Sequence, residues 1–198
     1  MKFFTSDIHL GDQPTVESDL RPFKNAKIMA KDIIKQWNKQ AKKGDVIYIL
    51  GDFIDCDGAG YEGWREYLPW VKKIKADAVL ITGNNEDRVI KYYFNNNYED
   101  FKNYCLNLGF KGVHKHLDIE IGDQPMHLVH KPLEYKKNMI NLFGHIHAAG
   151  GVYRPFGINV GCDLFCYRLL SEKDILHLLS KKAQFWDKDK HLNQWARN

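Results

Sequence analysis

The stretch AVLITGNNEDR, residues 78–88, joins an apolar run directly to a cluster of polar side chains. Residues 78–82 are aliphatic or β-branched and almost lack polar groups, which predicts a strand buried on both faces of a sheet. The run ends at Gly83, and Asn84 and Asn85 follow at once. Taken alone, these residues leave two interpretations open: a polar turn that closes a buried strand, or a turn that binds a ligand.

Short apolar runs alternate with amphipathic segments along the rest of the chain. Residues 25–42 place Met29, Ile33 and Trp37 on one stripe and lysines elsewhere, which predicts an amphipathic helix. The pattern predicts strands at 2–5, 46–50, 78–82, 112–116, 117–121, 126–130, 141–143 and 157–160, and helices at 25–42, 64–75, 87–94, 98–108 and after residue 171. We expect one α/β domain, with β-α alternation in the first half and antiparallel pairing, including a hairpin turn at 122–123, in the second.

Five of the predicted strands lead to residue types that bind metal ions. These residues are Asp7, His9, Asp52, Asn84, His130, His145 and His147. Ligands of open α/β sheets bind outside the carboxyl ends of the strands, so the side chains are expected at one shared site. Each of these residues, taken alone, could be an ordinary turn residue or an exposed histidine. Residues placed independently on the surface would not, however, put a metal-type ligand after nearly every strand. The aspartate and histidine of the first motif are expected on one face of extended backbone.

The donor atoms of this set are carboxylate oxygens, an amide oxygen and imidazole nitrogens, without a thiolate. Such donors suit manganese, iron or zinc better than a structural zinc–thiolate site. Seven ligands are too many for one tetrahedral ion but suit two ions that share a bridging carboxylate. Two ions about 3.5–4 Å apart with a hydroxide between them are a standard arrangement for phosphoester hydrolysis.

The metal-type residues belong to five sequence blocks. The blocks are Asp7-x-His9, Gly51-Asp52-x-x-Asp55, Gly83-Asn84-Asn85-Glu86, His130 and Gly144-His145-x-His147. In this order they resemble the calcineurin-like metallophosphoesterases, and residues 159–163 followed by 171–175 resemble the end of the small phage- and bacterial-type members. The resemblance implies an α/β (α+β) sandwich of two mixed β-sheets flanked by helices over residues 1–179. Residues 180–198 are predicted to be a basic helical tail.

The resemblance also implies roles for the ligand residues. Asp52 would bridge two metal ions, the first held by Asp7, His9 and His147 and the second held by Asn84, His130 and His145. The expected cofactors are two divalent transition-metal ions, manganese before iron, zinc or nickel. The implied reaction is attack of a metal-bridging hydroxide on a phosphoester. The expected substrate is a phosphodiester of aryl, cyclic-nucleotide or nucleic-acid type.

One position departs from the family pattern. Asn85 stands where the family usually has a histidine, which pairs with the last aspartate of the second block, here Asp55, and helps to protonate the leaving group or to bind phosphate. An amide cannot deliver a proton, and general acid catalysis is worth about 10²–10⁴-fold. We therefore expect Asn85, Asp55 and Asp52 to be the catalytic positions and substrates with good leaving groups to be favoured. The candidates for substrate contact or for the missing acid are Arg88, which can only stabilise charge, His114 and His116.

The bulk composition argues against several other classes of protein. The net charge of +4, from 29 basic and 25 acidic residues, does not require a nucleic-acid partner. The four cysteines form no CxxC pair, and no apolar run approaches the roughly 20 residues that cross a membrane. We expect a cytoplasmic enzyme with a phosphoester substrate, whether nucleotide or nucleic acid, and a homodimer stays open. The alternative, favoured by Asn85, is a metal-binding scaffold with weak turnover that binds a protein partner.

Overall fold

Ten strands form two five-stranded sheets within residues 1–57, 62–154 and 157–186, which the computed structural model describes. In the first sheet the strand order is β10-β1-β2-β3-β4. Its strands are β1 Lys2–Thr5, β2 Val46–Leu50, β3 Asp77–Ile81, β4 Gly112–His114 and β10 Leu170–Ser171. The first four are parallel and β10 is antiparallel to β1. The expected β-α alternation of the first half is thus confirmed.

Five helices lie between these strands and a sixth follows β10, and those that the sequence predicted begin and end within a few residues of the predicted bounds. They are α1 Gln13–Ser18, α2 Ala26–Gln40, α3 Gly63–Tyr67, α4 Asn84–Tyr93, α5 Tyr98–Leu108 and α6 Glu172–Trp186. Pro69 lies in a 3-10 turn, Leu68–Lys73, that continues α3, so the predicted break is present. The sequence pattern did not indicate α1, which is short and which Asp12 caps by accepting from the Thr15 backbone N–H.

The first sheet is buried on both faces, which explains its continuous apolar strands. Phe3 packs into the cluster under the helices, which contains the fully buried Trp37. Phe4, the next residue, packs into a second cluster between the two sheets together with Leu50 and Ile81. Because successive strand residues point to opposite faces, each strand contributes to both cores.

The second sheet has the order β5-β6-β7-β9-β8. Its strands are β5 Leu117–Ile121, β6 Gln124–Leu128, β7 Ile140–Phe143, β8 Tyr153–Arg154 and β9 Gly157–Asn159. The hairpin with a turn at 122–123 is confirmed, but β6, β7 and β9 pair in parallel, where antiparallel pairing was expected. About a dozen residues separate β6 from β7, enough for a crossover that turn signals alone do not reveal.

The last helix begins at a reciprocal cap. The Ser171 backbone N–H donates to Asp174 Oδ2 (2.8 Å), and the Asp174 backbone N–H donates to Ser171 Oγ (3.2 Å). The helix runs through the predicted domain boundary at 179/180 to Trp186, and residues 187–198 of the predicted tail lie outside the described residues. A separate tail therefore stays a prediction. In the described part of the chain, no helix combines the length and the apolar character that crossing a membrane requires.

Candidate metal centre

The seven predicted ligands meet at one edge of the two sheets. They follow β1, β2, β3, β6 and β7, in loops or at the start of the next helix, and those strand ends are brought together by the packing of one sheet on the other. His130 follows β6 by one residue rather than ending a strand, since β6 stops at Leu128 and not at the predicted residue 130. The convergence of all five loops is what the strand-end argument expected.

One group of ligand atoms comes from Asp7, His9 and His147, which offer three donors within 4.8 Å of one another. His9 Nε2 lies 3.2 Å from His147 Nε2, and His147 Nε2 lies 3.9 Å from Asp7 Oδ1. Burial, followed by the nearby charge of His147, holds the pKa of His9 well below its usual value. A neutral imidazole is the form that binds metal ions, so this environment suits a ligand.

Asp52 lies between this group and the next. Its Oδ2 is 3.7 Å from His9 Nε2 and 3.6 Å from His130 Nε2. Asp7, Asp52 and His130 also form a group whose donor atoms lie within 4.8 Å. One carboxylate within reach of both histidines is the geometry that a bridging ligand needs.

His130, Asn84 and His145 bring three metal-type ligand atoms into contact. His130 Nδ1 faces the Leu50 carbonyl at 2.8 Å; an acceptor there puts the ring proton on Nδ1 and leaves Nε2 as an acceptor in the neutral ring. Yet Nε2 lies 3.0 Å from Asn84 Oδ1, which in turn lies 2.9 Å from His145 Nδ1. Each of these contacts requires a proton or a metal ion between its two atoms, and the neutral ring of His145 supplies that proton when Nδ1 carries it.

The electrostatics of the centre agree with that requirement. Burial works against the charged form of His130, but the carboxylates of Asp52 and Asp7 outweigh it and raise the pKa of His130. Burial also raises the pKa of Asp7, which is fully enclosed. Burying negatively charged carboxylates costs free energy unless cations neutralise them, so the donor set fits divalent metal ions.

The backbone at the ligands is strained. Five of the seven ligands have positive φ: Asp7 (59°), His9 (53°), Asp52 (50°), His145 (73°) and His147 (45°). The extended backbone expected for Asp7 and His9 is therefore wrong, because β1 ends at Thr5 and both residues turn out of the strand direction. A non-glycine residue in this region costs about 1–3 kcal/mol, and such strain concentrates at functional sites.

Two motif glycines are required by close approach of the ligand loops. A Cβ on Gly83 would overlap the Asp52 carboxylate, and a Cβ on Gly144 would overlap Ser6 Oγ and the Asp7 carboxylate. The close approach at Gly144 allows a hydrogen bond between the two loops, because the backbone N–H of the next residue, His145, donates to both Asp7 oxygens at 2.9 and 3.0 Å. Glycine at these positions therefore lets the ligand-bearing loops touch.

Glu86, the acid of the third block, holds two loops together. It accepts from the backbone N–H groups of Asp52 (2.9 Å), Phe53 (3.0 Å) and Gly83 (2.8 Å). Burial, followed by the charge of Asp52, raises the pKa of Glu86 to about 7. The block was recognised in the sequence, but this role was not, because it depends on loops that lie 33 and 34 residues apart in the chain.

The polar residues after β3 are not a turn before a helix; they are its first turn. Helix α4 begins at Asn84, whereas the sequence pattern predicted a start at residue 87. The Asn85 backbone N–H donates to Asp52 Oδ1 at 2.9 Å, so a carboxylate from the loop after β2 supplies an N-terminal partner from outside the local sequence.

The side chain of Asn85 is buried between a ligand and a cation. Its Nδ2 lies 3.3 Å from His9 Nδ1, and its Oδ1 accepts from an Arg88 guanidinium N–H at 2.8 Å. Arg88 also donates to the Cys56 carbonyl at 3.3 Å. The predicted substrate residue Arg88 thus lies beside the centre, and the position that lacks an imidazole carries an amide–guanidinium pair instead.

The other predicted residues differ in their surroundings. A carboxylate oxygen of Asp55 lies within 4.8 Å of ligand-type atoms of His9 and Asp12, and its catalytic role stays a prediction. His116 packs its ring against His127 (5.5 Å), and burial and then Lys102 and His116 lower the pKa of His114. The environments of His114 and His116 are therefore set by the β4–β6 surface and not by the ligand cluster.

A supporting layer behind the ligands was not predicted. Asp19 Oδ2 lies 2.5 Å from His147 Nδ1. The buried guanidinium of Arg21 donates to the backbone carbonyls of Ile8 and Asp7 (both 2.8 Å) and to Asp163 Oδ2 (2.9 Å). Arg21 therefore holds the strained loop after β1.

Comparison with known proteins agrees with this architecture. A model of the calcineurin-like phosphoesterase family matches residues 3–169. An uncharacterized protein of Methanocaldococcus jannaschii is 32% identical over 95 residues, which are 46% of this chain and 52% of that protein, so the chain spans about half the length of this relative. A crystal structure of a protein of unknown function from Aquifex aeolicus superposes with a TM-score of 0.62 at 21% identity, over 90% of this chain and 98% of that one, which indicates a shared fold. With the family model covering most of the chain, the protein belongs to the calcineurin-like phosphoesterase family.

Proposed function

We propose that the protein is a dinuclear metal-dependent phosphoesterase that acts on phosphodiesters. The observation that carries the proposal is the contact of Asn84 Oδ1 with ring nitrogens of His130 (3.0 Å) and His145 (2.9 Å), which brings an amide oxygen and two imidazole nitrogens, all of metal-ligand type, together. Together with Asp52 between His9 and His130, this arrangement supports two adjacent cation positions.

The chain supplies the negative charge and the positioning for that chemistry. When bound, divalent ions lower the pKa of water and neutralise charge on phosphoryl oxygens. Asp7 and Asp52 are buried carboxylates, and backbone N–H groups of His145 and Asn85 hold them in place. Because oxygen and imidazole donors mix without a thiolate, manganese is the proposed metal, with iron, zinc or nickel as alternatives.

The substrate preference follows from Asn85 and Arg88. The guanidinium is fixed against the amide at 2.8 Å and stabilises negative charge beside the centre, but neither group can donate a proton to a departing alkoxide at neutral pH. Phosphodiesters whose leaving group is already a good one, such as aryl diesters, are therefore the proposed class. A nucleotide or nucleic-acid substrate, and a cytoplasmic location, belong to the same proposal.

A hydrolysis panel tests the proposal. Metal-depleted protein is reconstituted with Mn²⁺, Fe²⁺, Zn²⁺ or Ni²⁺ and assayed on an aryl monoester, an aryl diester, a cyclic nucleotide and an oligonucleotide. Activity is expected to be highest on the aryl diester and to be lost in Asp52→Asn and His145→Ala. The matched control is Asp123→Asn, which removes one exposed carboxylate in the turn of the β5–β6 hairpin.

The outcomes separate the alternatives. No turnover of any substrate with any metal would refute the enzyme and leave the metal-binding scaffold. A clear preference for the monoester would refute the diester preference alone.

A second variant examines the missing imidazole. Asn85→His is expected to raise the rate on poor leaving groups by about 10²-fold or more, since that is the usual contribution of a general acid. Its rate on the aryl diester is expected to change much less. An unchanged rate on poor leaving groups would mean that another residue already supplies the proton.

A further inference from the structure

A basic groove of about 440 Å³ lies between α2 and the segment that leads into β3. Five exposed lysines surround it, and we call it the lysine groove. They are Lys31, Lys35, Lys39, Lys73 and Lys75. The remaining lining residues are Ile34, Asn38 and Trp70, so no acidic side chain lines it.

The positive charge of the lysine groove is not neutralised within the described residues. The lysines that form ion pairs in the described part of the chain are Lys102, Lys131 and Lys136, and none of them lines the groove. Lys31, Lys35 and Lys39 are spaced four residues apart on one helix, a spacing at which like charges destabilise a helix by about 0.2–0.5 kcal/mol per pair. Helix stability therefore does not explain this row, and a partner of opposite charge would.

The row has the direction and the spacing of an extended track. Successive lysines are about 6 Å apart along the helix axis, since each residue rises about 1.5 Å. The parallel strands β1 and β2 are joined through α2, so the helix runs back from the ligand edge of the first sheet toward the opposite edge. Lys75 precedes β3 whereas Asn84 follows it, which places the far end of the groove one strand length, about 17 Å, from the centre.

Apart from the lysines, the polar and aromatic groups that line the groove already have partners within the protein. Trp70 is only 7% exposed, and Lys73 Nζ covers its ring at 3.3 Å from the centroid, so a nucleobase cannot stack there. The Asn38 amide is already used, because its Nδ2 donates to the Lys73 carbonyl (2.7 Å) and its Oδ1 accepts from the Lys75 N–H (2.8 Å). With the amide occupied and the ring covered, the lining presents mainly ammonium groups, which suit phosphates.

We propose that the lysine groove binds the sugar-phosphate backbone of a nucleic-acid strand without reading its sequence. A regular series of negative charges matches the regular lysine row, and the covered tryptophan removes base stacking as a source of sequence preference. This inference does not depend on the phosphoester hydrolysis proposed above, because binding is measured on metal-free protein.

The test is fluorescence anisotropy with a labelled 20-nucleotide thymidine strand in EDTA, from 0.05 to 0.3 M salt. The triple variant Lys31→Gln, Lys35→Gln, Lys39→Gln is expected to bind about 100-fold more weakly at 0.1 M salt. The slope of log affinity against log salt is expected to fall by about 2, since each phosphate contact on a single strand contributes about 0.7. A strand of mixed sequence is expected to bind within about twofold of the thymidine strand.

The matched control removes the same charge elsewhere. It is the triple variant Lys91→Gln, Lys137→Gln, Lys173→Gln, built on exposed lysines of other surfaces. It is expected to bind within about threefold of the unaltered protein. Thermal unfolding checks that both variants fold. Both are also assayed for hydrolysis of an aryl diester, so that a failure of the proposed enzymatic function is told apart from a failure of strand binding.

Three results would overturn the inference. In the first, the unaltered protein binds neither strand at 0.05 M salt. In the second, the two triple variants lose affinity equally, which would show attraction by net charge alone. In the third, a polyglutamate peptide displaces the strand at equal charge concentration, which would make the partner an acidic polypeptide.

Discussion

Asp19 lies outside all five motifs, yet its replacement is expected to weaken one metal position selectively. Its Oδ2 lies 2.5 Å from His147 Nδ1, and a carboxylate only accepts, so the ring proton is held on Nδ1. Nε2, which lies 3.2 Å from His9 Nε2, then keeps the lone pair that a metal ion needs. Asp19→Asn removes the negative charge. It also replaces a group that only accepts hydrogen bonds by an amide, which can turn its NH₂ group toward the ring instead.

The expected magnitude follows from the surroundings of this pair. Loss of such a supporting contact typically costs 10–100-fold in metal affinity. The side chains of Asp19 and His147 are 28% and 26% exposed, so water replaces part of the contact, and Asp163 Oδ2 lies 3.8 Å from the same nitrogen. We therefore expect the lower end, about 10-fold or about 1.4 kcal/mol.

Calorimetric titration of metal-free protein with Mn²⁺ measures this effect without any substrate. The unaltered protein is expected to show two binding events, of which only one weakens in Asp19→Asn. Asp123→Asn, in the exposed hairpin turn, is the control and is expected to bind like the unaltered protein. Equal weakening of both events, or no weakening with the fold intact by thermal unfolding, would refute the reasoning.

Three further predictions concern packing and reactivity. Gly144→Ala is expected to reduce Mn²⁺ affinity at least 10-fold in the same titration, because the added Cβ displaces the Asp7 carboxylate; unchanged affinity would show that the loop yields freely. Trp37→Ala is expected to lower the free energy of unfolding by about 3–5 kcal/mol in urea denaturation, because the ring is fully buried, and a loss below 1 kcal/mol would contradict that packing. Of the four thiols, exposed Cys166 alone is expected to react quickly with Ellman's reagent, since burial raises the pKa of Cys105, and a second fast thiol would contradict this.

The strands and the ligand set were predictable because both depend on local patterns. The bounds of β1, β2 and β5 match the predicted ones, since an apolar or alternating run shows directly which faces are buried. The ligands follow such runs within a few residues. Once neighbouring strands are taken as parallel, their carboxyl ends share an edge, so the meeting of Asp7, Asp52 and Asn84 needs no further information.

The start of α4 shows where local patterns fail. Asn84 and Asn85 have modest helix propensity, and the first orphan N–H groups of a helix need partners. Asp52 supplies one partner from the loop after β2, and Glu86 accepts from backbone N–H groups both of that loop and of Gly83, just before the helix. The contacts with Asp52 join residues 33 and 34 apart in the chain, so the local pattern of residues 78–88 does not indicate them.

The sequence by itself determined most of the strands and helices, the family, and which side chains gather at the centre, because hydrophobic periodicity and strand-end chemistry are local. It did not indicate α1, β8 or β10. Only the tertiary structure decided the left-handed backbone at five ligands, the support of His147 by Asp19, and the pairing of Asn85 with Arg88 beside the centre. It also decided that lysines of α2 face others that precede β3 across one groove. Contacts between residues as far apart as 19 and 147 depend on how two sheets and a helical layer pack, and burial on both faces of the first sheet is what imposes that packing.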